Sequence, residues 1–206
     1  MKNSIKCIVF DLGGVVFSDG TRIAIPKVEK IIKKYGLNSA LLDAMFSGQL
    51  AIDLRKGLVS DQNFWAEIEE ILGEKYEIQT LKELHFSSYT PQKEAFELLK
   101  ELKKKYLLAV FSVIYKSRLD WMEEHFPFRK FFDVEAYSFE AKANKREDTF
   151  FEYLIKKLPV KPQESILIDD HEYTLEHAKK FGFHPILFKS MEQLKGELKK
   201  KGVRWD

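Results

Sequence analysis

The chain has 206 residues, 45% of them hydrophobic and 32% charged, which is enough apolar material for a core and excludes wholesale disorder. Lys plus Arg is 34 against 32 for Asp plus Glu, a formal net charge of +2 that offers no electrostatic case for nucleic acid or a membrane surface as the main partner. The apolar runs are too short to span a bilayer, Asp11 interrupts the first of them before it could serve as a secretion signal, and the single cysteine, Cys7, has no internal partner; a cytoplasmic protein is expected.

Residues 5–10 read as a strand with β-branched content, closed by Asp11 and punctuated by Gly13-Gly14. From about residue 22 to 88 the pattern is helical. Val28, Ile31, Ile32 and Tyr35 share one helix face ended by Gly36, and Phe64, Ile68, Ile71 and Leu72 share another ended by Gly73. Thr90-Pro91 reads as an N-cap with proline at the first helical position, opening a helix to about Lys105 that buries Phe96, Leu99 and Leu102.

The period then changes. Residues 107–111 form a buried strand ending at Ser112, 118–125 a helix, 132–137 a short strand and 149–158 a helix. Residues 166–168 form a third strong strand ending in Asp169-Asp170. A helix to about Lys180 is stopped by Gly182, a strand covers 185–188, and Ser190 with Gln193 forms a capping-box pattern for the last helix. A strand, a helical insertion and then alternating helix and strand predict an α/β fold: a Rossmann-like parallel sheet core (1–17 and 89–206) with an inserted helical cap (18–88).

Ligands of such sheets sit at the carboxyl ends of the strands. Three apolar strands end there in polar groups, Asp11, Ser112 and the pair Asp169-Asp170. Clustered carboxylates need a counter-charge, and a hard divalent cation such as Mg²⁺ with oxygen ligands is an economical one; a nearby lysine would complete a site for a dianion. His171 and His177 lack a cysteine partner and a shared helical face, so they make poor zinc ligands. The Lys runs 103–105 and 199–201 read as solvated helix faces, and the aromatic run 126–132 as packing rather than a base-stacking platform.

The segment Phe10-Asp11-Leu12-Gly13-Gly14-Val15-Val16 resembles the first motif of the haloacid dehalogenase-like hydrolases. Val110-Phe111-Ser112 is similar to the second. Ser138-Phe139-Glu140 with Lys145-Arg146-Glu147-Asp148 is similar to the third, and Ile166 to Asp170 with Ala178 to Gly182 to the fourth. The four occur in the family's order. The stretch Ser47-Gly48-Gln49 through Arg55-Lys56-Gly57, then Ser60-Asp61 and Phe64, resembles the branch of small sugar-phosphate phosphatases and the phosphatase domain of soluble epoxide hydrolases.

The resemblance implies a Mg²⁺-dependent phosphatase acting on a small phosphorylated metabolite. Asp11 would be the nucleophile, forming a phosphoaspartyl intermediate. Ser112 and the Val113 backbone N–H would bind phosphoryl oxygens, together with Lys145, which would neutralise charge between phosphate and Asp11. Asp11, the Gly13 carbonyl, Asp169 and Asp170 would hold the metal, Asp170 directly and Asp169 through water or by a second bond.

Three positions depart from the pattern. Gly13 stands where family phosphatases carry an acid–base Asp, Val113 where an Asn is usual, and Arg146 where a proline follows the motif lysine. A 2-haloacid dehalogenase needs no leaving-group proton and would suit Gly13, but that branch uses no metal and lacks the paired acids. A binding protein that has kept the fold and lost turnover is the reading from a different class. A receiver domain also clusters Asp and Lys on a parallel sheet but has no room for the helical insertion.

Overall fold

The computed structural model describes residues 4–205; residues 1–3 and 206, which the expected core span includes, lie outside the described residues. Strand β1 (Cys7–Phe10) is followed by a tight loop and a helical block: α1 (Gly20–Tyr35), α2 (Ala40–Leu42) running into a π-helical turn at Asp43–Ser47, α3 (Gln49–Arg55), α4 (Asp61–Leu72) and α5 (Ile78–Phe86). Then come α6 (Lys93–Leu102), β2 (Leu107–Ser112), α7 (Lys116–His125), β3 (Val134–Tyr137), α8 (Ser138–Ala141) and α9 (Asp148–Lys157). The chain closes with β4 (Ser165–Asp169), α10 (Glu172–Lys180), β5 (His184–Leu187) and α11 (Met191–Lys200).

The five strands form one parallel sheet in the order β3-β2-β1-β4-β5, so the fold is α/β and Rossmann-like. Strand alternation sends Ile8, Phe10, Leu108, Val110, Ile166 and Ile168 to one face, where α6, α7 and α11 cover them with Leu99, Met122 and Leu194. Val9, Ala109, Phe111 and Leu167 face the other way, against Phe150, Phe151 and Leu154 of α9 and Ala178 of α10. Both faces are buried, which is why these strands read as continuous apolar runs. The helical block has a core of its own, built around Val28, Leu41, Phe64, Ile68 and Leu81, to which Tyr115 reaches across from just before α7.

Several local expectations are corrected. The helix after the block starts at Lys93 with Gln92 at the cap position. Thr90 and Pro91 are extended instead. Pro91 bridges to Phe17, the Thr90 N–H donates to the Ser18 hydroxyl, and the Gln92 side-chain amide donates to the carbonyls of Val15 and Phe17. This pairing ties the chain leaving β1 to the chain returning from the block, and it uses the groups a cap would need. Tyr35 is 41% exposed, stacking edge-on with Tyr76 rather than entering the core. Ser190 caps the Gln193 N–H as expected, but the Gln193 side chain turns to the Lys189 N–H and the Leu187 carbonyl, so the reciprocal half of the box is missing.

Candidate active site at the carboxyl edge of the sheet

Register sets the site. Phe10 pairs with Val110 on one side and Ile168 on the other, so Asp11 leaves the sheet level with Asp169 and one residue short of Ser112. The Asp11 N–H continues the ladder to the Ile168 carbonyl at 3.0 Å. The loop after Asp11 then folds tightly, with the N–H groups of Val15, Val16 and Phe17 all donating to the Leu12 carbonyl. Gly14 turns that loop at φ +78°, and a Cβ there would overlap the Asp170 carboxylate. Gly14→Ala is therefore expected to destabilise the fold by about 1–3 kcal/mol, the cost of a side chain in left-handed backbone before any clash is relieved. Denaturant unfolding checks it; an unchanged midpoint would mean the loop has another conformation open to it.

Lys145 lies in the loop before α9 and is buried, 3% exposed, between two carboxylates. Its Nζ is 2.8 Å from Asp11 Oδ2 and 2.7 Å from Asp169 Oδ2. Burial alone would lower the ammonium pKa, but Asp11 and Asp169 outweigh it and hold the group above its ordinary value. Asp11 is pushed up to about 6: burial is the largest cause, Lys145 opposes it and the Asp169 charge adds to it. Asp169 is held below its ordinary value because Lys145 and the bonds to His171 overcome its burial. Both Asp169 oxygens are engaged, Oδ2 by Lys145 and Oδ1 by the His171 N–H at 2.8 Å. Asp170 is more open; its Oδ1 lies 2.6 Å from His171 Nδ1, and the two carboxylates raise that imidazole to about 10.

Asp11, Lys145, Asp170 and His171 line a cavity of about 410 Å³ together with Gly13, Ser112 and Val113, while Asp169 is fully buried and meets it through Lys145. The structure thus brings together every residue that sequence assigned to the site. Arg146, in place of the motif proline, does not disturb the approach to α9. Its N–H donates to Asn144 Oδ1, and its guanidinium lies 4.2 Å from the Tyr173 ring centroid at the cavity wall. Among the described residues, Asp169, Asp170 and His171 form the one cluster of His, Cys, Asp or Glu compact enough to hold a metal ion. His177 is not part of it; it faces Asp148 and stacks on Phe151.

The upper wall was not legible as a site. Tyr89, Arg118 and, from the helical block, Asp19, Phe46 and Arg55 face the same cavity. The block is held against the core by Ser138, whose hydroxyl donates to the Arg55 carbonyl at 2.6 Å, by Lys142 on the Gly57 carbonyl at 2.6 Å, by the Lys56–Glu147 ion pair at 2.8 Å and by a Ser117–Asp61 bond.

The sequence profile of haloacid dehalogenase-like hydrolases matches residues 8–188. The chain belongs to this family. A putative uncharacterized protein of Dictyostelium discoideum is 36% identical over 161 residues, 76% of this chain and 68% of that one. A HAD family enzyme from Bacteroides thetaiotaomicron has the same fold at TM-score 0.77 and 23% identity, covering 95% of this chain and 98% of its own. That enzyme has also been crystallised with magnesium and inorganic phosphate. A predicted HAD-like hydrolase from Porphyromonas gingivalis superposes at TM-score 0.78 with 21% identity over 97% of this chain and 98% of its own. An L-2-haloacid dehalogenase from Xanthobacter autotrophicus also shares the fold, at TM-score 0.63 and 20% identity over 97% of this chain and 84% of its own.

Proposed function

We propose that the protein is a Mg²⁺-dependent phosphatase that acts on a small phosphorylated metabolite through a phosphoaspartyl intermediate, with the 18–88 segment as the cap that closes its site. The observation that carries this is the buried Lys145 bridging Asp11 and Asp169 at a cavity of about 410 Å³. Phosphoryl transfer asks mainly for positioning and charge neutralisation, and this arrangement supplies both. Asp11 Oδ2 attacks phosphorus, the ester oxygen leaves with the electrons of the P–O bond, and water then hydrolyses the acyl phosphate. The Asp11 Oδ1 atom accepts the Leu12 N–H at 2.7 Å, which fixes the carboxylate plane. Ser112 and the Val113 N–H, which line the cavity, would bind phosphoryl oxygens, and the helical block would keep bulk water from the acyl phosphate.

The donor set fits a hard cation. Asp170 lies over Gly14, where only a glycine leaves it room; its Oδ1 meets His171, and among the described residues neither of its oxygens pairs with a lysine or arginine. Asp170, Asp11 and the Gly13 carbonyl would hold Mg²⁺, with Asp169 acting through water or by a second bond. When bound, the ion would supply a second positive charge to the phosphoryl group besides Lys145. Because Asp169 already spends both oxygens on Lys145 and His171, Asp170→Asn is expected to cost more Mg²⁺ affinity than Asp169→Asn. The loss for Asp169→Asn should be about tenfold, typical of a group behind the ligands. Calorimetric titration of the two variants decides it, and the reverse order would refute the assignment.

A panel of phosphorylated metabolites assayed with and without Mg²⁺ tests the whole reading. Metal-dependent phosphate release from at least one is expected. Gly13 favours a second reading, a binding protein of this fold without turnover, because it offers no proton donor; tight binding across the panel with no release would support it. Dehalogenase chemistry is opposed by Asp170, which that reaction does not need. The proposed cytoplasmic location rests on the single cysteine, Cys7, which is buried and unpaired; separately, among the described residues no helix is long and apolar enough to cross a membrane.

A further inference from the structure

Among the described residues, three arginines of the cavity wall form no ion pair with an acid; Arg22 is exposed to solvent, but Arg118 is buried and Arg55 half-buried. Arg118, on α7, is 5% exposed. Its Nη1 donates to the Tyr89 hydroxyl at 2.7 Å, and its Nη2 donates to the Tyr115 hydroxyl at 3.0 Å and meets His85 Nε2. The guanidinium lies 4.4 Å from the ring centroids of both tyrosines. Its Nε is buried with no hydrogen-bond partner. Arg55, at the end of α3, donates to the Phe46 carbonyl at 3.1 Å. Every one of these partners is neutral. His85 is held well below its ordinary pKa, by burial first and by both arginines after it. Among the described residues, no carboxylate forms an ion pair with Arg55 or Arg118.

Buried charges are ordinarily paired, because removing an ion from water without a counter-ion is expensive. Lys145 follows that rule inside the same cavity; Arg55 and Arg118 do not. They also repel each other: burial and then the Arg118 charge hold the Arg55 guanidinium below its ordinary pKa. Of the acidic groups facing the cavity, Asp11 is taken by Lys145, Asp170 by His171, and Asp19 caps α1 through the Arg22 N–H. A buried cation from the core and a half-buried one from the helical block thus share one wall without an anion from the described residues.

We propose that Arg55 and Arg118 form a second anion subsite, so that the substrate is a phosphate monoester carrying a further anionic group, a carboxylate or a second phosphate, directed away from Asp11. The inference rests on the phosphatase reading for which end of the molecule meets Asp11. A guanidinium fork recognises carboxylate and phosphate equally well, and here the ligand would bridge core and helical block, linking specificity to closure.

The test compares matched pairs that differ in one anionic group: 3-phosphoglycerate against glycerol 3-phosphate, and glucose 1,6-bisphosphate against glucose 6-phosphate. Binding is measured by calorimetry with Mg²⁺ on the Asp11→Asn protein, and kcat/KM on the protein with Asp11 intact. The doubly anionic member of at least one pair should bind about 10- to 100-fold more tightly, the scale of charge-assisted hydrogen bonds, and the pair it comes from tells carboxylate from phosphate. Adding Arg55→Gln should bring that ratio towards one. Arg118→Lys, which keeps the charge and loses the fork, should lower it in part, so a failure of an Arg118 deletion to fold would not shield the proposal. Equal binding within both pairs, or an Arg55→Gln variant that weakens both members alike, would overturn it. A binding preference without turnover would refute the phosphatase reading and uphold the subsite.

Discussion

Asp11→Asn is expected to abolish turnover and, in the metal-free protein, to stabilise the fold. The activity loss should be at least about 10⁴-fold, the scale that follows removal of a covalent nucleophile, because an amide cannot form the acyl phosphate. The stability gain follows from the same burial. Asp11 is raised to about 6 in the folded state, from an ordinary value of 3.8, even with Lys145 beside it. An acid whose folded pKa lies above its unfolded one makes folding less favourable once it ionises. The penalty is absent below pH 3.8, grows as pH rises through 6 and is full above it. At pH 7.5 the neutral amide should relieve up to about 3 kcal/mol, and near pH 4 almost nothing. Thermal unfolding of both proteins in chelator at the two pH values reads this directly. A variant less stable than the parent at pH 7.5 would mean that Lys145 depends on Asp11 more than on Asp169. Retained turnover would remove Asp11 from the role of nucleophile.

Much of the candidate site is visible in the sequence. The three central strands, β1, β2 and β4, announce themselves because each is buried on both faces and so reads as an apolar run, such as Cys7 to Phe10 or Ile166 to Ile168, whereas β3 carries Glu135 and β5 starts at exposed His184. Asp11, Ser112 and Asp169 stand out because each is the first polar residue after such a run. Lys145 has no such marker. Its burial comes from an ion pair across sequence distance, and only its place in a motif singled it out.

What stayed hidden depends on tertiary juxtaposition. Thr90-Pro91 has the local chemistry of a helix start, but pairing with Ser18 and Phe17 satisfies the same groups in an extended conformation. The third strand was read two residues early because Phe132 is apolar and buried, although it closes a short helical turn ahead of Val134. Arg55, Tyr89 and Arg118 sit on three separate segments with no common period. Their meeting over Asp11 follows from how the helical block lies on the sheet edge, which no pattern along the chain encodes.

Gly13 carries the second large effect. A phosphatase without an acid at this position should discriminate by leaving group. p-Nitrophenyl phosphate departs as a stabilised anion and needs little protonation, whereas an alkyl phosphate needs a proton at the leaving oxygen, which Gly13 does not supply. The two classes should separate by up to roughly 10²- to 10⁴-fold in kcat, the range associated with general acid catalysis. Restoring the acid is sterically open. Gly13 is not in left-handed backbone, and a Cβ there would meet only Tyr89 Cε1 at 3.8 Å, ordinary contact distance. This contrasts with Gly14, one residue on, where a side chain would strike Asp170. Gly13→Asp is therefore expected to fold and to raise alkyl phosphate turnover more than aryl phosphate turnover, narrowing the gap. The ring of Tyr89 lies beside that position and its hydroxyl bonds Arg118 and Thr21, so the cavity already has a phenol near the missing carboxyl. If the wild-type protein cleaves alkyl and aryl phosphates equally well, a group other than residue 13 donates the proton. Tyr89→Phe is then the variant to make, and it should open the leaving-group gap that Gly13 alone did not.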